Sequence, residues 1–396
     1  MKTDSSRRNF LAAGLSLPVA GIASASAPQP PPAKAPKTAA AAAAPATGYR
    51  TLGKTGLKVS TVGYGCMITS DSSVISRAVD MGITYFDTAR GYQSGNNERM
   101  VGAALKGSRT KIVLSTKSES KTPAEALDHL NTSLKELGTD YIDIWYMHAR
   151  DTVADIPDDQ IAVWENAKKQ GKIRHIGIST HNPAAIVDRV LAVGKFEVLL
   201  STYNFTVGAS NDAAYKKLAA AGIGLVAMKV MAPASRQKGF QDLPGFRADR
   251  MDRVTKPGGP LAALKWVLRD NRFSTTIPSM TDIDQLEMNV RAMSEPYSAA
   301  DEKLLAQINE DIRPLYCRMC YQCSGQCPKG VRVADTIRYL FYADFYGQFA
   351  LGREHFLALP EEARAARCRD CDSCQVKCPN GVHVAERLIR AQDLFA

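Results

Sequence analysis

The sequence predicts an α/β fold, a (β/α)8 TIM barrel, followed by a small, mainly helical block rich in cysteine. Three observations predict it. Short apolar, β-branched runs alternate with helix-period runs from about Tyr49 onward. There are eight such strand-then-helix units, at roughly 25–30 residues each. Eight of the nine cysteines then fall at or beyond Cys317, where the alternation has stopped.

The 396-residue chain is too long for one ordinary domain. Residues 1–27, "MKTDSSRRNFLAAGLSLPVAGIASASA", have a charged start, a short run of small apolar residues and Ala-Ser-Ala cleavage-type sites. That is the pattern of a signal peptide. Ser6-Arg7-Arg8-Asn9-Phe10-Leu11 gives it the twin-arginine form. The segment is short and contains Pro18, which favours cleavage over anchoring, and no cysteine lies near it for lipid attachment. The expectation is export through the twin-arginine machinery to the periplasm, with no stable membrane anchor after cleavage. Residues 28–47 are dominated by Pro and Ala and read as a disordered spacer.

The barrel is expected over 48–312. Its strands are placed at Val59–Gly65, Ile83–Thr88, Ile112–Thr116, Ile142–Met147, His175–Ser179, Val198–Thr202, Gly224–Met228 and Ser274–Pro278. Helical runs follow, among them Ala124–Leu137, Gln160–Lys169, Pro183–Val193, Asp212–Ala221, Leu261–Asp270 and Ile283–Met293. A doubly wound open sheet is the competing fold. It usually opens on G-x-G-x-x-G, and "GYGCM" supplies only the first pair. The long segment Met231–Gly259, after the seventh strand, reads as a lid or substrate loop. The formal charge is +10, but Lys and Arg are scattered without a basic stripe, so no nucleic-acid partner is expected.

Three polar residues stand at successive strand ends: Asp87 in "ITYFDTA", Lys117 in "IVLSTK" and His148 in "IDIWYMH". Barrel enzymes place catalytic groups there. A single strand-end Asp is commonly only a helix cap; three in a row are a stronger signal. Tyr92 lies on the loop after Asp87. The stretch "DTARGYQSGNNE", with "STK" and "MHAR", resembles the aldo-keto reductase family over about Tyr49 to Met293. The resemblance implies an oxidoreductase that interconverts a carbonyl and an alcohol with NADP or NAD. Tyr92 would donate the proton, Lys117 and Asp87 would support it, and His148 would orient the carbonyl. A nearby ammonium is expected to lower the phenol pKa.

The same resemblance places cofactor contacts at Gly65, Cys66 and Met67, at Ser179 and Thr180, at Ser201 and Tyr203, and at Met228 and Lys229. It adds Ser279, Met280, Thr281, Gln285 and Asn289 in "IPSMTDIDQLEMN". Tyr203 would stack on the nicotinamide and Asn289 would face the adenine. Ser201 stands where many members carry Gln. Ser279 and Gln285 stand where NADPH-using members carry Lys and Arg, which leaves NADH open. Cys66 also reads as an ordinary pocket-wall thiol.

The block 313–396 holds C-x₂-C-x₂-C-x₃-C-P twice, at Cys317, Cys320, Cys323, Cys327 and at Cys368, Cys371, Cys374, Cys378. The offset of 51 residues marks an internal duplication. Zinc normally takes paired C-x₂-C knuckles, and disulfides are the other alternative. The spacing is that of bacterial ferredoxins and predicts two [4Fe–4S] clusters. The block resembles the helical two-cluster ferredoxin-type domains appended to oxidoreductases. In two-cluster ferredoxins the fourth cysteine serves the other cluster. By that resemblance Cys378 joins Cys317, Cys320 and Cys323, and Cys327 joins Cys368, Cys371 and Cys374. The clusters would exchange electrons with a redox partner protein or brace the block. Against the enzyme stands a second hypothesis, a non-catalytic barrel scaffold carrying an electron-transfer module.

Overall fold

The computed structural model describes residues 48–207, 211–231, 234 and 258–396. The expected signal peptide, the spacer 28–47 and most of the loop after the seventh strand lie outside the described residues.

An antiparallel hairpin of β1 (Tyr49–Thr51) and β2 (Lys58–Ser60) opens the fold. Eight parallel strands follow in chain order: β3 (Tyr64–Gly65), β4 (Tyr85–Asp87), β5 (Val113–Ser118), β6 (Ile142–Met147), β7 (Ile173–Thr180), β8 (Val198–Thr202), β9 (Gly224–Met228) and β10 (Phe273–Thr276). Bridges Val62–Thr276 and Gly65–Ser279 join the first strand to the last and close the barrel. Each strand leads into a helix: α1 (Ser72–Asp80), α2 (Asn96–Leu105), α3 (Pro123–Leu137), α4 (Asp158–Lys169), α5 (Pro183–Val193), α6 (Asp212–Ala220), α7 (Gly259–Leu268) and α8 (Ile283–Arg291).

The first expected strand, Val59–Gly65, is a correction. It divides, with Lys58–Ser60 pairing back to β1 and only Tyr64–Gly65 staying in the barrel. The cause is the barrel floor. Leu52 and Val59 of the hairpin region are fully buried among Tyr85, Ile144, Tyr146, Leu200 and Val226, the side chains that fill the cylinder. The bend falls near Gly63, where a Cβ would meet Thr276 O at 2.8 Å.

Local chemistry sets the helix limits. The Thr122 hydroxyl accepts from Glu125 N at 3.2 Å, Pro123 fills the first turn of α3, and Gly138 leaves it at φ +62. Asp282 caps α8 by accepting from Gln285 N at 2.8 Å. The outer core lies between strands and helices, where Trp145 and Trp164 stack at 3.9 Å.

Helix α9 (Ala299–Ile312) ends the barrel segment, and the C-terminal block contains α10 (Val333–Tyr346), α11 (Phe349–Leu357), α12 (Glu361–Ala365) and α13 (Val384–Phe395). Helix α10 is buried along most of its length. Its Phe341, Tyr342 and Phe345 pack with Ala262 and Ala263 of α7 and with Leu305, Ile308 and Ile312 of α9. Its Asp344, fully buried, accepts from Arg387 at 2.6 Å and from Arg390 at 2.8 Å, which ties α13 to it. The block is therefore seated on the barrel by an apolar face and held together by a buried ion pair. Among the described residues no helix is long and apolar enough to cross a membrane.

Candidate active site and cysteine loops

A cavity of about 550 Å³ opens at the carboxyl ends of the barrel strands. Asp87 ends β4 and Lys117 lies near the end of β5, so neighbouring strands bring them together. Lys117 Nζ donates to Asp87 Oδ2 at 2.5 Å, to Thr88 O at 2.7 Å and to the Tyr92 hydroxyl at 3.3 Å. Ser115 holds the other Asp87 oxygen at 2.7 Å. Both members of this ion pair are about 1% exposed. Gln93 pins the Tyr92 loop by donating to Thr69 O at 2.8 Å. The His148 ring meets Tyr92 edge-on at 5.9 Å.

The expected lowering of the Tyr92 pKa is a second correction. Burial, and after it the negative Asp87, push the phenol well above its ordinary value. Tyr92 therefore keeps its proton throughout the physiological range, as a proton donor must.

His148 Nδ1 lies 2.9 Å from Glu119 Oε1, an ion-pair contact without full hydrogen-bond geometry. The imidazole beside it holds the Glu119 carboxyl down at about 2. Glu119 was not expected from the motifs, yet it lines the cavity. It stands two residues after Lys117, just past the end of β5.

The expected cofactor residues divide. Gly65, Met67, Ser179, Met228, Lys229, Ser279 and Gln285 line the cavity. Cys66, Thr180, Ser201, Tyr203, Met280, Thr281 and Asn289 do not. Cys66 is fully buried in the outer core and does not reach the cavity. The Thr180 hydroxyl is taken by Asp151 at 3.0 Å and the Ser201 hydroxyl accepts from Tyr215 at 3.3 Å. Met280 offers its carbonyl to Tyr64 and Thr69, and Thr281 pairs with the Gln285 amide at 2.9 Å. Tyr203 faces away from the cavity. It stacks on Phe273 at 4.1 Å and donates to Asp270 at 2.7 Å, so it is held in the outer layer. Asn289 is fully buried, and neither of its amide atoms has a hydrogen-bond partner. An Asn amide matches an adenine edge bidentately, so this orphan fits a nucleotide. The stretch Pro278–Asn289 supplies no Lys or Arg.

The far wall of the cavity comes from the C-terminal block. Arg338, Tyr339, Tyr342 and Tyr346 of α10 face it, as do Leu351, Glu354 and His355 of α11. Burial pulls His355 down to about 4, so its ring is neutral. Arg338 spans the junction, donating to Asp151 Oδ2 at 3.1 Å and to the Tyr321 hydroxyl at 2.8 Å. Tyr321 sits inside the first cysteine motif, so that loop is tied directly to the barrel rim.

The eight cysteines are unpaired by disulfides. Cys317 has Cys323, Cys320 and Cys378 close by, whereas Cys368 has Cys327, Cys371 and Cys374. Burial, and then these neighbours, raise Cys317 to about 12 and Cys368 to about 11. Bound iron is the charge that would offset this and hold them as thiolates. The duplication shows in the contacts, since Lys377 N donates to Gln326 Oε1 across the 51-residue offset. Among the described residues no three His, Cys, Asp or Glu side chains converge as ligands to a single ion do. The donor set, eight cysteines in two C-x₂-C-x₂-C-x₃-C-P loops, fits two four-iron cores.

Comparison with known proteins agrees with this geometry. The pattern of the aldo/keto reductase family matches residues 69–310, and that of the 4Fe-4S dicluster domain matches 316–383. An uncharacterized oxidoreductase of Bacillus subtilis is 35% identical over 158 residues, which span 36% of this chain and 51% of that protein. L-galactose dehydrogenase of Arabidopsis thaliana is 26% identical over 305 residues, covering 67% of this chain and 94% of the relative. The holo form of an aldo-keto reductase from Bacillus halodurans superposes with a TM-score of 0.56 at 28% identity, over 66% of this chain and 95% of that one. The chain belongs to the aldo/keto reductase family and carries a C-terminal 4Fe-4S dicluster domain.

Proposed function

We propose that this protein is a NADP- or NAD-dependent oxidoreductase that interconverts a carbonyl and an alcohol in the chamber between barrel and iron–sulfur block. The observation that carries this reading is the buried Asp87–Lys117 pair, bonded to a half-buried Tyr92 that opens on that cavity. A bound nicotinamide would supply the hydride, which no side chain can. Tyr92 gives its proton to the carbonyl oxygen, and Lys117 steadies the phenolate that forms. Asp87 keeps the buried ammonium charged and aimed. His148, set by Glu119, presents its ring edge toward the same oxygen. The two cysteine sets would hold the clusters that exchange single electrons with a partner protein or brace the block.

The Asn289 orphan supports an adenine nucleotide, and the absence of cations in Pro278–Asn289 leaves both NADH and NADPH as candidates. The Ser6–Leu11 motif supports export of the folded, loaded protein to the periplasm. Replacing Arg7 and Arg8 by Lys should then retain it inside the cell, seen by fractionation.

The test of the chemistry is carbonyl reduction by anaerobically purified, cluster-loaded protein. Tyr92→Phe should lower kcat by about 10²–10⁴-fold with nucleotide affinity unchanged. Unchanged turnover in that variant sinks the reading.

A further inference from the structure

Lys229 follows β9 with φ +56, a left-handed backbone setting that a side chain adopts at a cost. Its ammonium reaches across the mouth to α10. It lies 4.6 Å from the centre of the Tyr342 ring and 5.9 Å from those of Phe341 and Tyr346, and donates to the Tyr342 hydroxyl at 3.3 Å. No carboxylate pairs with it among the described residues. Of the other cations lining the chamber, Lys117 pairs with Asp87 and Arg338 with Asp151 and Asp335, while Lys121 is exposed to solvent.

Ring faces attract a cation, but by less than the cost of removing an unpaired ammonium from water. Burial, and then Arg338, pull the Lys229 amine down to about 7 despite Asp151, which records that deficit. The site is therefore short of one negative charge. Two anions could supply it, the nucleotide phosphates or a group on the substrate. Geometry favours the substrate. The amine is turned toward Tyr342, which lines the same cavity as Tyr92. The expected adenine end, at Ser279 and Gln285, belongs to the loop and helix after β10.

We propose that Lys229, caged by the aromatic side chains of α10, binds an anionic substituent, a carboxylate or phosphate, on the carbonyl or alcohol substrate. This rests on the reductase reading above. It makes the iron–sulfur block part of the specificity pocket.

The experiment measures equilibrium binding of 4-formylbenzoate and its neutral methyl ester to the full cluster-loaded chain by calorimetry. The wild-type protein should prefer the carboxylate by about tenfold or more, the strength of a charge-assisted contact. Lys229→Met should erase the preference and Lys229→Arg should keep it, with cluster absorbance confirming that each variant is folded. Equal binding of both probes by wild type, or a preference that survives Lys229→Met, overturns the proposal. So does a Lys229→Met variant whose main defect is a tenfold loss of NADH or NADPH affinity, since the anion would then be the cofactor's. Turnover is read separately. A Lys229-dependent preference without reduction of either aldehyde upholds the anion site and refutes the reductase reading.

Discussion

The buried Asp87–Lys117 pair should separate stability from activity. Lys117→Met leaves the Asp87 carboxylate about 1% exposed, with Ser115 as its remaining side-chain partner. Asp87→Asn leaves an ammonium facing Thr88 O and the Tyr92 hydroxyl. Breaking a buried pair from one side costs about 3–5 kcal/mol, so each single variant should lose that much. The double variant Asp87→Asn with Lys117→Met has no buried charge and nearly the original volume. It should recover most of the loss, because removing both charges together is close to neutral. Activity should not recover, since the double variant, like Lys117→Met, leaves the phenolate without a cation. A loss of about 10²–10⁴-fold in kcat is expected, which is roughly 3–5 kcal/mol on the barrier. Urea unfolding of the loaded full chain gives the first quantity and carbonyl reduction the second. A double variant no more stable than the weaker single, or one that turns over like wild type, refutes the argument.

Three further outcomes follow from other parts of the molecule. Glu119 is held down at about 2 by His148, so the stability it adds is present above its ordinary value of about 4.3 and is lost as pH falls toward 2. Glu119→Gln should flatten that acid limb in melting curves taken across the window. Cysteine pairing is tested by iron analysis. Cys320→Ser with Cys378→Ser should leave about four irons, whereas Cys320→Ser with Cys327→Ser should remove all of about eight; the reverse result would assign each motif its own cluster. Trp164→Ala removes a ring stacked on Trp145 and an indole that donates to Trp145 O at 3.1 Å, and should cost about 3–5 kcal/mol in denaturant unfolding.

Asp87, Lys117 and His148 are legible in the sequence because a strand end is a local feature, and barrels put chemistry at that end. The cysteine sets are legible because ligand spacing is local too. Tyr203 is not. Its orientation is decided by Phe273 and Asp270, about 70 residues away, and no local pattern announces them. Thr180 and Ser201 likewise spend their hydroxyls on Asp151 and Tyr215. The wall formed by Tyr342, Tyr346 and His355 is hidden for a different reason. The run "DTIRYLFYADFYGQFALG" is apolar on nearly every face, so periodicity marks a buried helix but not the surface that buries it. The split of the first strand is hidden as well, because the hairpin is chosen by the need to fill the barrel floor.

Helix α10 leaves the first cysteine motif at one end, and its middle stands over the substrate chamber. Arg338 and Tyr321 fasten that arrangement to the barrel rim. Helix α10 thus serves the cysteine block and the cavity wall at once. A barrel freed of its tail would stand open where Tyr342, Tyr346 and His355 now roof the cavity.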